Sequence, residues 1–162
     1  MDFMSDSLFC GRRFRTFNVI NDFNREALAI EVDLSLPALR VIRVLERITA
    51  WCGYPGKLRM DNSPEFISVT LASWAEENNV ELEFIKPCKP TQNSYVERFN
   101  RRYRDEILNM YVIRTLSEVR EITDRWIREY NEERPHDALD DLTPSECLAI
   151  NEQPENSKLP RT

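Results

Sequence analysis

The chain lacks most features that mark membrane, secreted or zinc-binding proteins. No apolar run reaches the roughly 18 residues that a membrane span needs, so a membrane span is excluded. The first residues lack a basic segment followed by an apolar one, and they therefore do not form a signal peptide. There is one histidine, and the four cysteines lie far apart without a Cys-x-x-Cys pair. We interpret the cysteines as reduced cytosolic thiols rather than as zinc ligands.

Length and composition bound the number of domains. With 162 residues, of which 41% are hydrophobic and 31% charged, the chain can bury one core and is expected to form one soluble domain. We place this domain at residues 1–150, with its C-terminal helices starting at about residue 115. Residues 151–162 are polar and contain proline, so we expect a disordered tail there.

The charge of the chain is uneven. A net charge of −6 argues against nucleic-acid binding by the chain as a whole. Residues 86–104 nevertheless carry six basic side chains and only one acidic one, Glu97. Such a local excess suits a phosphate backbone. Charge alone is explained equally well by a solvated helix face.

Hydrophobic periodicity predicts the element order β-β-β-α-β-α-β-α-α. The pattern predicts a hairpin at residues 13–22 and 26–33, preceded by half of a strand at residues 1–4. Two more strands are predicted at residues 57–61 and 80–85. Predicted helices follow Pro37, begin at Ser63-Pro64, and cover residues 92–110 and 117–133, with a short one after Thr143. The three tryptophans lie on the apolar stripes and are predicted core residues. This order is typical of an α/β, RNase H-like fold, a mixed five-stranded sheet flanked by helices.

Three carboxylates, those of Asp2, Asp61 and Glu97, are the strongest candidates for a reactive site. Asp61 ends a predicted strand, Glu97 lies on the long predicted helix, and 35 residues separate the two. Phosphodiester chemistry is well served by two Mg²⁺ ions roughly 3.5–4 Å apart, which need hard oxygen ligands. Three clustered carboxylates without a metal would repel one another, which is hard to explain as structure. Taken alone, Glu97 could instead pair with Arg101 one helical turn away.

The helix that carries Glu97 has two predicted faces. Tyr95, Phe99 and Tyr103 recur every four residues and form the expected buried face. The opposite face groups Glu97 with amide and guanidinium side chains that suit phosphate oxygens, namely Asn93, Arg101 and Arg104.

Three segments resemble insertion-sequence transposases related to retroviral integrases. Residues 61–66 (DNSPEF) are similar to the family's DNGPEF segment, and residues 86–101 to its KPGKPxQNxxxERFNR segment. Residues 130–144 resemble the closing YNxxRPHxxL...TP signature. The likeness extends to about Ala149, and the carboxylate spacing matches the family's D,D(35)E arrangement.

The resemblance implies a DDE catalytic core for DNA transposition and integration. Asp2 would bridge two Mg²⁺ ions, Asp61 would hold the ion on the nucleophile side, and Glu97 would hold the other; Mn²⁺ would substitute. Implied partners are the element ends and target DNA, in a homo-oligomer that is dimeric or larger, without a membrane. The implied location is the bacterial cytoplasm, at the nucleoid. Candidate DNA contacts are Lys86, Lys89, Gln92, Asn93, Arg98, Arg101 and Arg104.

Departures from the family pattern leave alternatives open. The family tryptophan three residues before the first aspartate has no counterpart, so we expect a truncated first strand. Ser63 and Cys88 stand where the family has glycine. One alternative is a catalytically inactive core that multimerises with an intact transposase and inhibits it. Another is an RNase H-type nuclease, although residues 92–93 and 130–144 favour the transposase. His136 is interpreted as structural.

Overall fold

The predicted order of strands and helices is confirmed in a computed structural model, which describes residues 1–86 and 93–152. Its strands are β1 (Asp2–Ser7), β2 (Arg13–Ile20), β3 (Ala27–Asp33), β4 (Lys57–Met60) and β5 (Glu81–Phe84). Its helices are α1 (Ala38–Cys52), α2 (Val69–Glu77), α3 (Ser94–Tyr103), α4 (Leu116–Glu132) and α5 (Pro144–Glu152). A π-helical turn, Arg104–Leu108, extends α3, and a 3₁₀ turn, Asp137–Leu139, precedes α5.

All five strands of the predicted mixed sheet are present, but they form two hydrogen-bonded sheets instead of one. Antiparallel β1, β2 and β3 form one hydrogen-bonded sheet, and parallel β4 and β5 form a second. The amino group of Met1 donates to the Arg59 carbonyl at 2.7 Å, which places the start of β1 beside β4. A strand ladder needs successive hydrogen-bonded residues on both strands. The bond from Met1, directly before β1, is the only hydrogen bond that links this end of β1 to β4 in the described residues. The first strand is also longer than the expected residues 1–4, since it pairs with β2 from Asp2 to Ser7.

Helices cover both faces of the three-stranded sheet. Side chains alternate along β2, because successive residues of a strand point to opposite faces. Phe17 and Val19 belong to the hydrophobic cluster that includes α1 and α2, whereas Phe14 belongs to the cluster that includes α3 and α4. Burial on both sides explains why four consecutive residues of β2, residues 16–19, are all buried, and it gives the layered architecture expected for an RNase H-like fold.

The second helix begins later than the sequence indicates. Ser63 and Pro64 were expected as its N-cap and first residue, but α2 starts at Val69 and its N-cap is Ser68, whose hydroxyl accepts from the Leu71 amide at 3.1 Å. Residues 64–66 form a turn instead, and this turn buries Phe66. Ser63 is unavailable as a cap because it binds the Asp61 carboxylate.

Three expectations about helix surfaces and ends are corrected as well. Trp74 and Trp126 are core residues as predicted, but Trp51 is 58% exposed because burial along α1 stops at Thr49. On α3, Val96 takes the buried position expected for Tyr95, which is 39% exposed. Residues 151–152, expected in the tail, complete α5, and the rest of that predicted tail lies outside the described residues. Within residues 1–86 and 93–152, none of the helices has the length and apolarity to cross a membrane.

Candidate active site

The three candidate carboxylates come from three different elements. Asp2 is the first residue of β1, Asp61 directly follows β4, and Glu97 lies in the first turn of α3. Residues 2–5 and α3 form the two walls of an open cleft of about 560 Å³. Glu97 and Arg101 line this cleft opposite Asp2, whereas Asp61 is not among its lining residues.

Asp2 is the carboxylate whose ionisation the structure alters most. The pKa of Asp2 is raised to about 6, mainly by burial and also by the negative charges of Asp61 and Glu97, which together outweigh the bond from the Phe3 amide and the charge of the N-terminus. Asp61 and Glu97 are therefore each near enough to Asp2 for their charges to repel its carboxylate. A cation placed among them would relieve this repulsion.

The structure does not bring the three carboxylates to within the distance at which they would share an ion. Within the part of the chain that the structure describes, no group of three or more histidine, cysteine or acidic side chains could hold a metal. The absence of such a group is compatible with the effect of Asp61 and Glu97 on the pKa of Asp2. Charge repulsion acts over longer distances than the roughly 2.0–2.1 Å of Mg²⁺ coordination. The sequence prediction that Asp2, Asp61 and Glu97 are metal ligands therefore stays a prediction.

Ser63 fixes the orientation of the Asp61 carboxylate. Its backbone N–H donates to Asp61 Oδ1 at 3.0 Å, and its hydroxyl donates to Oδ2 at 2.8 Å. This side-chain-to-backbone turn is common for aspartate at the end of a strand. Each carboxylate oxygen keeps a further lone pair for a ligand. Serine at this position thus adds a bond that glycine could not make.

Two asparagines that sequence reasoning did not select hold the Asp2 carboxylate. Asn100 on α3 donates its side-chain amide to Asp2 Oδ2 at 2.7 Å. Asn18, fully buried on β2, donates in turn to the Asn100 carbonyl oxygen at 2.7 Å. Because this bond occupies the oxygen of Asn100, its NH₂ group must face Asp2. The available signals were an asparagine between a phenylalanine and a valine on a predicted strand and an amide three residues after Glu97.

The basic candidates fall into different places. Arg101 and Arg104 line the cleft, and Arg104 also donates to Asp6 Oδ2 at 3.1 Å and to the Ser5 carbonyl at 3.0 Å. Lys86 is exposed just after β5, and Arg98 lines a separate pocket. Asn93 is only 6% exposed and lines a different pocket, so it does not share the surface of Glu97 as the helix periodicity predicted. Lys89 and Gln92, like Cys88, lie outside the described residues.

Comparison with known proteins identifies the class to which this fold and site belong. The architecture is that of the RNase H-like catalytic cores of retroviral integrases. Two family models, both described as integrase core domain, match residues 1–90 and residues 78–144. The chain therefore belongs to the integrase core domain family.

Two curated bacterial relatives are insertion-element proteins. The chain is 45% identical over 149 residues to the Burkholderia multivorans "Insertion element IS407 uncharacterized 31.7 kDa protein", covering 92% of this chain and 54% of that one. It is 38% identical over 149 residues to the IS476 counterpart from Xanthomonas euvesicatoria, covering 92% and 43%. The chain thus spans about half the length of the curated relatives it matches.

Solved structures share the fold at low sequence identity. The simian T-cell lymphotropic virus intasome, solved in complex with the PP2A regulatory subunit B56 gamma, aligns with a TM-score of 0.70 and 15% identity over 99% of this chain and 57% of that one. The HTLV-2 integrase catalytic core domain, solved with magnesium in a trimeric form, aligns with a TM-score of 0.63 and 12% identity over 90% and 94%. At these identities the likeness establishes the fold alone.

Proposed function

We propose that this chain is the catalytic core of a DDE DNA transposase, which cleaves DNA and joins the new strand end to a target during transposition. The observation that carries the proposal is the position of Asp2. Its pKa is raised to about 6 by burial and by the neighbouring Asp61 and Glu97 carboxylates, beside a cleft whose other wall carries arginines. Carboxylates in this environment suit a divalent cation, and guanidinium groups suit the phosphates of a DNA substrate.

The chemistry of the donor set fits Mg²⁺. Asp2, Asp61 and Glu97 offer only hard oxygen ligands, and in the proposal they hold two ions, with Mn²⁺ as a substitute. When bound, such ions lower the pKa of the attacking oxygen and stabilise the leaving one. The integrase core solved with magnesium supports this assignment by analogy.

The chain's own groups position the reacting partners. Asn100 orients the carboxylate of Asp2, and Ser63 orients that of Asp61. Arg101 contacts the phosphate backbone of the bound strand, because it lies exposed on the α3 wall of the cleft. Element ends and target DNA are the proposed substrates. They are bound in the bacterial cytoplasm at the nucleoid by a dimer or larger oligomer, as the dimeric and trimeric integrase cores suggest.

A strand-joining reversal assay on a pre-branched DNA tests the proposal. This substrate presents the product of strand transfer and does not depend on recognition of element ends. We expect Mg²⁺- or Mn²⁺-dependent resolution of the branch into a joined strand and a released end, and no reaction with a chelator. Hydrolysis without joining would favour an RNase H-type nuclease instead.

A non-catalytic, multimerising inhibitor is the second candidate function. Two observations favour it: a single hydrogen bond joins β1 to β4, and the described residues contain no metal-holding group of three. A folded chain that yields no products, yet lowers the activity of an intact transposase when the two are mixed, would establish this alternative.

Replacing Arg101 with alanine is expected to weaken binding of duplex DNA and to make its salt dependence shallower. Each phosphate contact contributes about 0.9 to the slope of log K against log salt concentration, so losing one contact should lower the slope by roughly that amount. Fluorescence anisotropy at several salt concentrations measures the slope. Arg128→Ala, which removes an exposed arginine from α4, is the matched control. A slope equal to that of the control would place Arg101 away from DNA.

A further inference from the structure

Helix α3 carries a second basic surface that the proposed catalytic cleft does not use. Arg98 and Arg102 follow Glu97 and Arg101 by one residue each, which turns them about 100° around the helix. They line a pocket of about 120 Å³ between α3, the turn after β2 and the segment after α4. Arg25 and His136 also line it. We propose that this pocket, here called the arginine pocket, binds a phosphate group of the DNA backbone; this rests on the proposed function.

Positive charge dominates the arginine pocket. Three arginines line it, and Asp137 is the one acidic residue among its lining side chains in the described parts of the chain. Glu106, a carboxylate on the π-helical extension of α3, bonds mainly to other groups. It accepts from Trp126 Nε1 at 2.6 Å and from Arg134 Nη1 at 2.8 Å, while Arg102 Nε lies 4.0 Å away. The pocket therefore retains a cationic excess that a bound oxyanion would neutralise.

Two nitrogens of the pocket's lining residues are buried without a hydrogen-bond partner within the described residues. These are Arg25 Nε and His136 Nε2. Buried polar nitrogens in native proteins nearly always have a hydrogen-bond partner. A bound ion is one explanation for a buried nitrogen that has none within the protein. Both nitrogens can donate, so each offers a hydrogen bond to an oxyanion bound in the pocket.

The residues that carry these nitrogens are held in place by aromatic rings. The Arg25 guanidinium lies 3.4 Å from the centroid of the Tyr95 ring and also donates to the Asp22 carbonyl. The His136 ring packs edge-on against Tyr130, with 4.9 Å between centroids and 70° between planes. Burial lowers the pKa of His136, and Arg102, Arg134 and Arg25 lower it further. Residues 130–144, one of the segments shared with the transposase family, thus contribute a wall of the pocket.

DNA is the source of phosphate that the placement favours. The cleft and the arginine pocket lie on adjacent faces of one short helix, so a strand lying across α3 would meet Arg101 in the cleft and Arg98 at the pocket. A free phosphate ion would need no such alignment. The pocket's role is therefore to fix where the strand crosses α3 relative to Glu97.

His136 provides a direct readout because it is the only histidine in the chain. Its ring Hε1 proton gives a single resolvable NMR signal. Titrating inorganic phosphate into the metal-free full chain is expected to shift this signal along a saturable curve. In Arg102→Gln the shift should be lost or need at least about ten times more phosphate, whereas Arg128→Gln should behave as the parent. A signal that does not move in the parent chain would overturn the phosphate site.

A duplex-DNA titration separates the two sources of phosphate. Arg98→Gln and Arg102→Gln should each lower the salt slope of DNA binding by about 0.9, and duplex DNA should shift the His136 signal. A phosphate-induced shift with an unchanged DNA slope would overturn the DNA assignment. Circular dichroism confirms that each variant is folded. Neither readout needs metal or turnover, so a chain inactive in strand joining could still support the pocket, and an active chain could still refute it.

Discussion

Replacing Glu97 with glutamine is expected to lower the rate of metal-dependent strand joining by more than about 100-fold. Losing a residue that merely supports a metal ligand typically costs about 10- to 100-fold, and losing a ligand itself should cost more. Glutamine keeps the shape of the side chain but removes the negative charge that holds a divalent cation. Glu97 is exposed at the cleft, so the fold should survive. Product formation on the pre-branched DNA measures the rate, and thermal melting followed by circular dichroism measures the fold.

Glu77→Gln is the matched control for this substitution. Glu77 is exposed near the end of α2, and its replacement changes the net charge by the same amount. The control should retain the parent rate, and Asp61→Asn should repeat the loss seen with Glu97→Gln. Equal rates for Glu97→Gln and Glu77→Gln would remove Glu97 from the catalytic site.

Replacing Trp126 with alanine is expected to lower the free energy of unfolding by about 3–5 kcal/mol, the usual cost of emptying an aromatic core position. Trp126 is 3% exposed, and its ring lies 5.1–5.4 Å from those of Phe99, Tyr103 and Tyr130. Its indole N–H also donates to Glu106 at 2.6 Å. Because Phe99 and Tyr103 belong to α3, the loss also loosens the helix that carries Glu97. Urea unfolding followed by far-ultraviolet circular dichroism measures the change.

Trp51→Ala is the control that distinguishes burial in the structure from burial predicted by the sequence pattern. Both tryptophans lie on apolar stripes of their helices, and both were predicted core residues. Since Trp51 is 58% exposed, its replacement should change the free energy of unfolding by about 0.5 kcal/mol or less. Similar losses for Trp51→Ala and Trp126→Ala would contradict the packing described for α1 and α4.

Local patterns were sufficient for the elements that carry two of the candidate carboxylates. Asp61 follows a strand and Glu97 lies on a helix, as predicted. Alternating apolar residues indicate a strand, and apolar residues spaced three to four apart indicate a helix; both patterns depend only on neighbouring residues. The start of α2 was missed for an equally physical reason. Ser63-Pro64 is a good helix start by propensity, but the Asp61 carboxylate competes for the serine hydroxyl and amide.

Features made by distant parts of the chain could not be predicted from local patterns. The bond from Asn100 to Asp2 joins residues 98 apart, and the bond from Asn18 to Asn100 joins residues 82 apart. The arginine pocket likewise needs Arg25 and His136, which come together only when α4 packs on the sheet. Whether strands form one sheet or two also depends on tertiary pairing, and periodicity carries no information about it.

A crystal structure of the chain with Mn²⁺, using anomalous scattering from manganese, tests the central claim most directly. We expect anomalous peaks bounded by the carboxylates of Asp2, Asp61 and Glu97, with the three side chains drawn towards these peaks. The Glu97→Gln chain should lose at least one of these peaks under the same conditions. Well-ordered density for all three carboxylates at saturating Mn²⁺ with no peak between them would contradict the assignment of this cleft as a metal-dependent catalytic site.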